Sequence, residues 1–303
     1  TNWTTAILNA ESSLGANVKV MGAAWGGVNY FLNNIAAYEQ SESQYINLAT
    51  QHVYGGYTES GQSFANDYLL TPSVATQTPH TLQPYVAPIH GLNQKFRVGE
   101  INSIDDGGIA GISDAFGAAL WAIDTMFEYA NAGLDGVNWH GTSGCTYCAF
   151  TFAVHNLGGI YVYPLQHVAP LYYGMYFFHQ AAGNGAHLLP VTLNASGGTL
   201  PNIKIWSTID SNNVVRVAII NKDESFAGNV MVSLSGYGAA QVTRLVAPSY
   251  TATSGVSIGG QTFDGSIDGN LVYSANGETN TPSNGVYSVP VQPTSAVLLT
   301  ISQ

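Results

Sequence analysis

Hydrophobic spacing changes regime near residue 185. Before it, stretches with apolar residues three and four apart alternate with short apolar runs. After it, apolar and polar residues alternate one by one. The first regime reads as helices between buried strands, the second as strands with one face in a core. Residues 4–15 carry a helical pattern that Gly15 ends, and 18–24 is a short strand. Phe31, Leu32, Ile35 and Tyr38 line one side of a helix over 29–39. A strand over 45–52 runs on into His52-Val53-Tyr54. A polar loop with Pro72, Pro79 and Pro84 follows, then a helix over 83–92 and a strand over 95–100 that ends on Glu100. Phe116, Leu120, Ile123, Phe127 and Ala130 stripe a helix over 114–131, with Ser113 placed to cap it and Gly133 to stop it. Residues 134–140 form the next strand. A glycine- and cysteine-rich loop then leads to a last helix over 166–182.

Strand-then-helix units after an initial helix imply a parallel sheet. Beyond 185, candidate strands cover 203–209, 214–221, 229–234, 241–246, 256–263, 285–291 and 296–301, with turns such as Asp210-Ser211-Asn212-Asn213 between them. That spacing reads as an antiparallel β-sandwich. The expected fold class is α/β, with a portion of a βα barrel over 1–184 and the sandwich over 185–303. No G-x-G-x-x-G sits between a strand and a helix, so a dinucleotide fold is not indicated. Instead Trp25, His52, Tyr54, Glu100, Asn102, Asn138 and His140 collect at C-terminal strand ends, the rim on which a βα barrel builds its site.

Composition narrows the partners. Of 303 residues only 8 % are charged, and the net charge is -11. Nucleic acid is excluded as a partner, because phosphate contacts need a Lys/Arg surface. The polar interruptions in every apolar run argue against a membrane span. Ser, Thr, Asn and Gln must solubilise the surface, a style common in secreted proteins. Two sequons, Asn2-Trp3-Thr4 and Asn194-Ala195-Ser196, agree with a secreted, extracellular location. The chain opens inside a helical pattern without Met, as a processed, trimmed or internal N-terminus would. Cys145 and Cys148 are spaced C-x-x-C, but neither a thioredoxin-like βαβ unit nor a second ligand pair accompanies them. A loop disulfide and packed thiols both remain open. His and carboxylates do not cluster at ligand spacing, so neither metal nor cofactor is expected.

Phe96-Arg97-Val98-Gly99-Glu100-Ile101-Asn102-Ser103, then Gly107-Gly108, then the run from Gly111 to Trp121, resembles glycoside hydrolase family 79. Gly136-Val137-Asn138-Trp139-His140-Gly141 and the helix around Tyr172-Tyr173-Gly174-Met175 resemble it too. The family holds β-glucuronidases and heparanase-like enzymes. The resemblance implies the second half of a TIM barrel (strands five to eight) followed by the family's β domain. It also implies a retaining glycosidase with Glu100 as nucleophile and Tyr54 as the residue that orients it. Its acid/base Asn-Glu pair has no match here, because Glu11, Glu39 and Glu42 lie in or beside helices. That glutamate is therefore expected outside this chain, and the chain alone to be deficient in turnover. A naturally truncated paralogue is the alternative to a fragment.

Retaining chemistry needs two carboxyl groups about 5–5.5 Å apart, one attacking and one moving protons. Glu100 ends an apolar strand, where a carboxylate needs partners; Arg97, His52 and Tyr54 are the candidates. His52 shares a strand face with Tyr54. Trp25 is placed to flank a sugar, His140 to reach the site with Asn138 on its own face, and Asn102 and Tyr147 to bind substrate. The expected partner is a uronic-acid-containing glycan or glycoside, held by Gly107 and Gly108 N–H groups. Asp105-Asp106 would repel a substrate carboxylate unless turned away, which opens the alternative of another sugar specificity. A carbohydrate-binding remnant without turnover is the second alternative. Half a barrel exposes sheet edges, so the chain alone is expected to be poorly soluble, oligomeric or dependent on its missing half.

Overall fold

The computed structural model describes residues 2–15, 20–141, 144–183, 185–195 and 197–303, with backbone only for 2–4. Val18 and Lys19 of the expected first strand, the side chains of the Asn2-Trp3-Thr4 sequon, and Ser196 of the second sequon lie outside the described residues. Packing divides the chain into two compact units: Thr1–Gly55, Thr76–Asn102 and Glu128–His140 form the first; Gly56–Ala75, Ser103–Phe127 and Gly141–Gln303 form the second.

The first unit is built on a four-stranded sheet of sequential order: β1 (Val20–Gly26), β2 (Ile46–Gly56), β3 (Lys95–Ile104) and β4 (Val137–Trp139). The pairs β1–β2 and β3–β4 are parallel. Helices α1 (Asn2–Leu14), α2 (Val28–Glu42) and α3 (Pro72–Gly91) separate the strands. Phe31 and Ile35 of α2 are buried, as are Ala49 and Val53 of β2 and Phe96, Val98 and Ile101 of β3. The Phe31 ring stacks on Phe96 at 5.4 Å and meets Tyr85 of α3 edge-on at 5.5 Å.

Helix α3 corrects the expected loop. It spans 20 residues and holds Pro79, Pro84 and Pro88 inside it. Each interior proline removes a helical hydrogen bond. The compensation is a buried stripe, Ala75, Leu82, Val86 and Ile89, each large side chain contributing about 1.5–3 kcal/mol when buried. Burial overrides the local signal.

Helix α4 (Phe116–Asn131) starts two residues later than expected. Ser113 does not cap it; its Oγ accepts the Ile109 N–H in the preceding turn. Carbonyls of Ala252 and Tyr250 accept the Phe116 and Gly117 N–H groups instead. Gly133 does end the helix: its φ is +89°, and the Leu134→Tyr129 and Gly133→Ala130 main-chain bonds form a Schellman motif.

In the second unit, the loop after β4 folds into a β ribbon. Its stem is β5 (Phe150–Phe152) with β8 (Leu165–Val168), and its tip is β6 (His155–Leu157) with β7 (Ile160–Val162). Residues 166–168, expected in the last helix, belong to β8. Helix α5 (Pro170–Ala182) begins at Pro170, whose fixed φ suits a first helical position.

The remaining strands are β9 (His187–Leu189), β10 (Ile203–Ile209), β11 (Val215–Asn221), β12 (Gly228–Ser233), β13 (Ala240–Val246), β14 (Ser257–Ile258), β15 (Thr279–Asn280), β16 (Val286–Val291) and β17 (Ser295–Ile301). One sheet has seven strands in the order β14-β13-β17-β11-β10-β9, with β15 also on β13. A separate pair, β12–β16, is antiparallel. The central sheet is buried on both faces. Ala218, Ile220, Ala296 and Leu298 share a core with Phe116, Leu120 and Phe127 of α4 and Phe177 of α5. Val217, Ile219, Val297 and Leu299 point the other way, onto Val230 of β12 and Tyr287 and Val289 of β16. The expected strand over 256–263 shrinks to Ser257–Ile258, because Gly259 and Gly260 take positive φ and close a turn back onto Gln261.

Candidate active site

Strand β3 delivers Glu100 and β2 delivers Tyr54 and His52. Tyr54 Oη donates to Glu100 Oε1 at 2.5 Å. His52 Nδ1 lies 3.3 Å from Glu100 Oε2. His140, one residue past β4, places Nδ1 at 3.1 Å from Tyr54 Oη and 3.9 Å from Glu100 Oε1. The phenol has a single proton, and Glu100 receives it. The His140 contact is therefore an Nδ1–H donated to Tyr54 Oη, a tautomer assigned by donor accounting. His140 to Tyr54 to Glu100 is then a chain of hydrogen bonds in which each strengthens the next.

Glu100 is only a quarter exposed, at 26 % of its side chain. A half-buried carboxylate without donors would be costly. Here Oε1 accepts from Tyr54 and Oε2 faces the His52 ring, which fixes the carboxylate plane. Asn102 belongs to the same arrangement. Its Nδ2 donates to the His140 carbonyl at 2.7 Å, and the His140 N–H donates to the Ile101 carbonyl. Asn102 is fully buried, so it anchors His140 rather than contacting ligand.

Other expectations are redistributed. Arg97 is not a Glu100 partner. Three residues apart on a strand, the two point to opposite faces, and Arg97 binds the Asp135 and Val137 carbonyls and Asn138 Oδ1. Asn138 therefore faces Arg97 rather than Glu100; β4 ends at Trp139, and strand alternation does not carry through to His140. Trp25 packs edge-on against Tyr30, Phe31 and Tyr38 of α2, at 5.5, 6.2 and 5.1 Å. The register of β1 on β2 shifts between Ala23 and Trp25, and the indole joins an aromatic cluster.

Other carboxylates of the first unit are engaged away from Glu100. Glu39 accepts from Gln94 at 3.0 Å, and burial pushes its carboxyl up. Burial also pushes Asp135 up, but the Phe96 N–H with the His90 and Lys95 side chains outweighs it and holds this carboxyl below its ordinary range. Glu128 lies 3.6 Å from His80.

Gly107, Gly108 and Tyr147 come together within the second unit. Gly107 and Gly108 have φ of +88° and +86°. The Gly107 carbonyl accepts both the Thr146 and Tyr147 N–H groups. The Gly108 N–H donates to the Asp105 carbonyl, closing the turn, so it is not a substrate donor as expected. A Cβ on Gly108 would come within 2.8 Å of Ser113 and 3.1 Å of Tyr147. Tyr147 itself is buried, between Cys145 and Cys148, which form a disulfide. Asp105 and Asp106 turn onto Thr58: Asp105 Oδ1 accepts its N–H at 2.7 Å, and its hydroxyl lies within 3.0 Å of both carboxylates. Thr58, in a polar loop, carried no signal in the sequence; neither did Ser113's packing against Gly108.

Residues 205–298 match the model of the glycosyl hydrolase family 79 C-terminal beta domain. That match, confined to the β domain, supports membership of glycosyl hydrolase family 79. A curated relative, a beta-glucuronidase of Aspergillus niger, is 28 % identical over 149 residues, covering 45 % of this chain and 26 % of its own length. Among solved structures, a 4-O-alpha-L-rhamnosyl-beta-D-glucuronidase from Fusarium oxysporum, in complex with Rha-GlcA, superposes with a TM-score of 0.78 at 22 % identity. The alignment covers 99 % of this chain and 62 % of that one. A family 51 arabinofuranosidase from Xanthomonas axonopodis pv. citri gives 0.66 at 12 %, with the same coverages of 99 % and 62 %. The chain thus spans about a quarter of its curated relative and under two thirds of these solved chains. Its fold neighbours are TIM-barrel glycosidases, and a β-rich domain is present. Among the described residues, no group of three or more His, Cys, Asp or Glu is placed to hold a metal ion, and no helix is long and apolar enough to cross a membrane.

Proposed function

We propose that this chain is part of a secreted retaining β-glucuronidase that removes terminal β-linked glucuronic acid from glycans or glycoconjugates. Residues 1–184 would supply the second half of its barrel and 185–303 its β-sandwich. The observation that carries the reading is the Glu100 carboxylate, held by Tyr54 and His52 at a strand end in a family-79 chain. The names of the Aspergillus and Fusarium relatives supply the glucuronide.

In the first displacement a Glu100 oxygen attacks the anomeric carbon and the bond to the aglycone oxygen breaks. That oxygen takes a proton from a carboxylic acid outside this chain. In the second, the same carboxylate removes a proton from water, which attacks the glycosyl ester and frees Glu100. Tyr54 keeps the attacking group oriented, and His140 holds the phenol in place.

The test is covalent trapping with 2-deoxy-2-fluoro glucuronosyl fluoride, read by peptide mass spectrometry. Fluoride departs without a proton donor, so labelling does not need the missing acid. A single adduct on Glu100, absent with the glucosyl analogue, is the expected result. Labelling only by the glucosyl reagent would discard the uronate. No adduct, with saccharide binding that survives Glu100→Gln, would leave a carbohydrate-binding protein without turnover.

A further inference from the structure

Two features of the second unit take no part in the steps proposed above, and each has the form of half of a contact. The first is a groove of about 1120 Å³ in the β domain. It exceeds the roughly 300–1,000 Å³ of ordinary small-molecule sites. Asn229 to Leu234 line it continuously, which is nearly the whole of β12. Among the described residues, strand β12 pairs only with β16, which leaves its other edge open to the groove. Across the groove stands β10, covered by β9 only at Ser207–Ile209. The floor includes Val215 and Val217, members of the domain's own core. Asp223 is the only charged residue in the lining, and its carboxylate is already occupied by the Ser225, Phe226 and Asn202 N–H groups.

The second feature is the tip of the β ribbon. Leu157 pairs with Ile160 across a Gly158-Gly159 turn in which both glycines have positive φ, the requirement of a tight two-residue hairpin. Paired residues share a face. Leu157, Ile160 and Val162, with exposures of 63, 68 and 36 %, therefore share one face, on which His155 lies opposite Val162 at the stem end. Tyr161 lies on the opposite face, with Asn156. This strand pair has no third strand on either edge. No Asp, Glu, Lys or Arg occurs between Asp135 and Lys204, so the usual charged protection of a free edge is missing.

We propose that the β12 groove is filled by the 155–162 hairpin of a second copy of this chain. Addition of β7 to the free edge of β12 extends that sheet by two strands. The aliphatic side chains then cover Val191, Leu200 and Met231, the exposed apolar residues of the groove lining, and Tyr161 and Asn156 face water. Neither surface carries an unengaged Asp, Glu, Lys or Arg, and His155 sits at the stem end of the hairpin face. The occupant is a second copy because the sequence itself carries a strand pair with one apolar face, one polar face and open edges. The contact is head-to-tail, so it propagates to a ring or an open chain rather than stopping at a symmetric pair.

The experiment is sedimentation of the full chain across a wide concentration range, with two surface variants. Ile160→Asp charges the hairpin, and Leu200→Glu charges the groove wall; both residues are exposed, at 68 and 44 %. Circular dichroism checks that each variant remains folded. The wild type is expected to grow in mass with concentration, and each variant alone to remain monomeric. An equimolar mixture of the two variants should give twice the monomer mass, because one retains the groove and the other the hairpin. A monomeric wild type overturns the proposal. So does association that survives Leu200→Glu, which would mean hairpin-to-hairpin pairing, or a mixture that remains monomeric.

Discussion

Lys222 and Asp124 test the packing of helix α4 on the β domain. Nζ and Oδ2 are 2.6 Å apart, and both side chains are 0 % exposed. The second carboxylate oxygen accepts the Trp206 indole N–H at 3.2 Å. Desolvating each ion costs several kcal/mol, and their attraction roughly offsets this. The pair therefore adds little net stability, whereas breaking it strands a buried anion. Lys222→Met should cost about 3–5 kcal/mol. Asp124→Asn added to Lys222→Met removes that anion yet keeps a carbonyl for Trp206, so most of the loss should return. Urea denaturation is the assay, followed by tryptophan fluorescence, since Trp206 stacks on Phe127 at 5.5 Å. With a slope of about 3 kcal/mol per M, the midpoint should fall by roughly 1–1.7 M and largely recover in the double variant. A single variant within about 1 kcal/mol of wild type, or a double variant as damaged as the single, would refute the reasoning.

Tyr54→Phe removes one hydrogen bond to a charged group, worth about 1.5–3 kcal/mol, so trapping at Glu100 should slow roughly 10- to 100-fold; an unchanged rate removes Tyr54 from the machinery. Asp223 is lowered to about 2, first by the Ser225 N–H and further by those of Asn202 and Phe226, against an opposing effect of burial. A depressed carboxyl stabilises the fold above its unfolded value of about 3.9. Wild type should therefore lose more stability than Asp223→Asn as pH falls from about 4 towards 2, and parallel acid titrations would contradict this. Gly108→Ala forces a Cβ into a left-handed position against Ser113. It should cost more than about 1 kcal/mol in chemical denaturation, and a neutral result would mean that the turn relaxes freely.

The elements carried by strong periodicity were legible. The stripe from Phe116 to Ala130 and the stop at Gly133 both appear in α4. So does the run of alternating strands, because period-two spacing reports a buried face directly. Helix α3 was not legible, since its prolines speak locally against a helix that buried Leu82, Val86 and Ile89 hold in place. The ribbon was hidden because its exposed apolar strands resemble neither a half-buried strand nor a loop. Within the site, Glu100, Tyr54, His52 and His140 were legible as strand-end polar groups. Trp25 was misplaced, because a register shift between Ala23 and Trp25 is invisible in a single strand's pattern. The disulfide of Cys145 and Cys148 settles an alternative that spacing left open.

By itself, the sequence determined most helix and strand segments, α3 and the ribbon excepted, together with where the parallel pattern yields to the antiparallel one and which polar residues end strands. Those are local properties, written at spacings of two to four residues. Tertiary structure alone decided who meets whom. Tyr54 and Glu100 are 46 positions apart, and Asp124 and Lys222 are 98 apart. It also decided that Asp105 and Asp106 turn onto Thr58 and that the Gly108 N–H closes a turn. A donor or acceptor in a sequence has many potential partners. Only the packed chain, in which each buried polar group must be satisfied at a fixed distance, selects one.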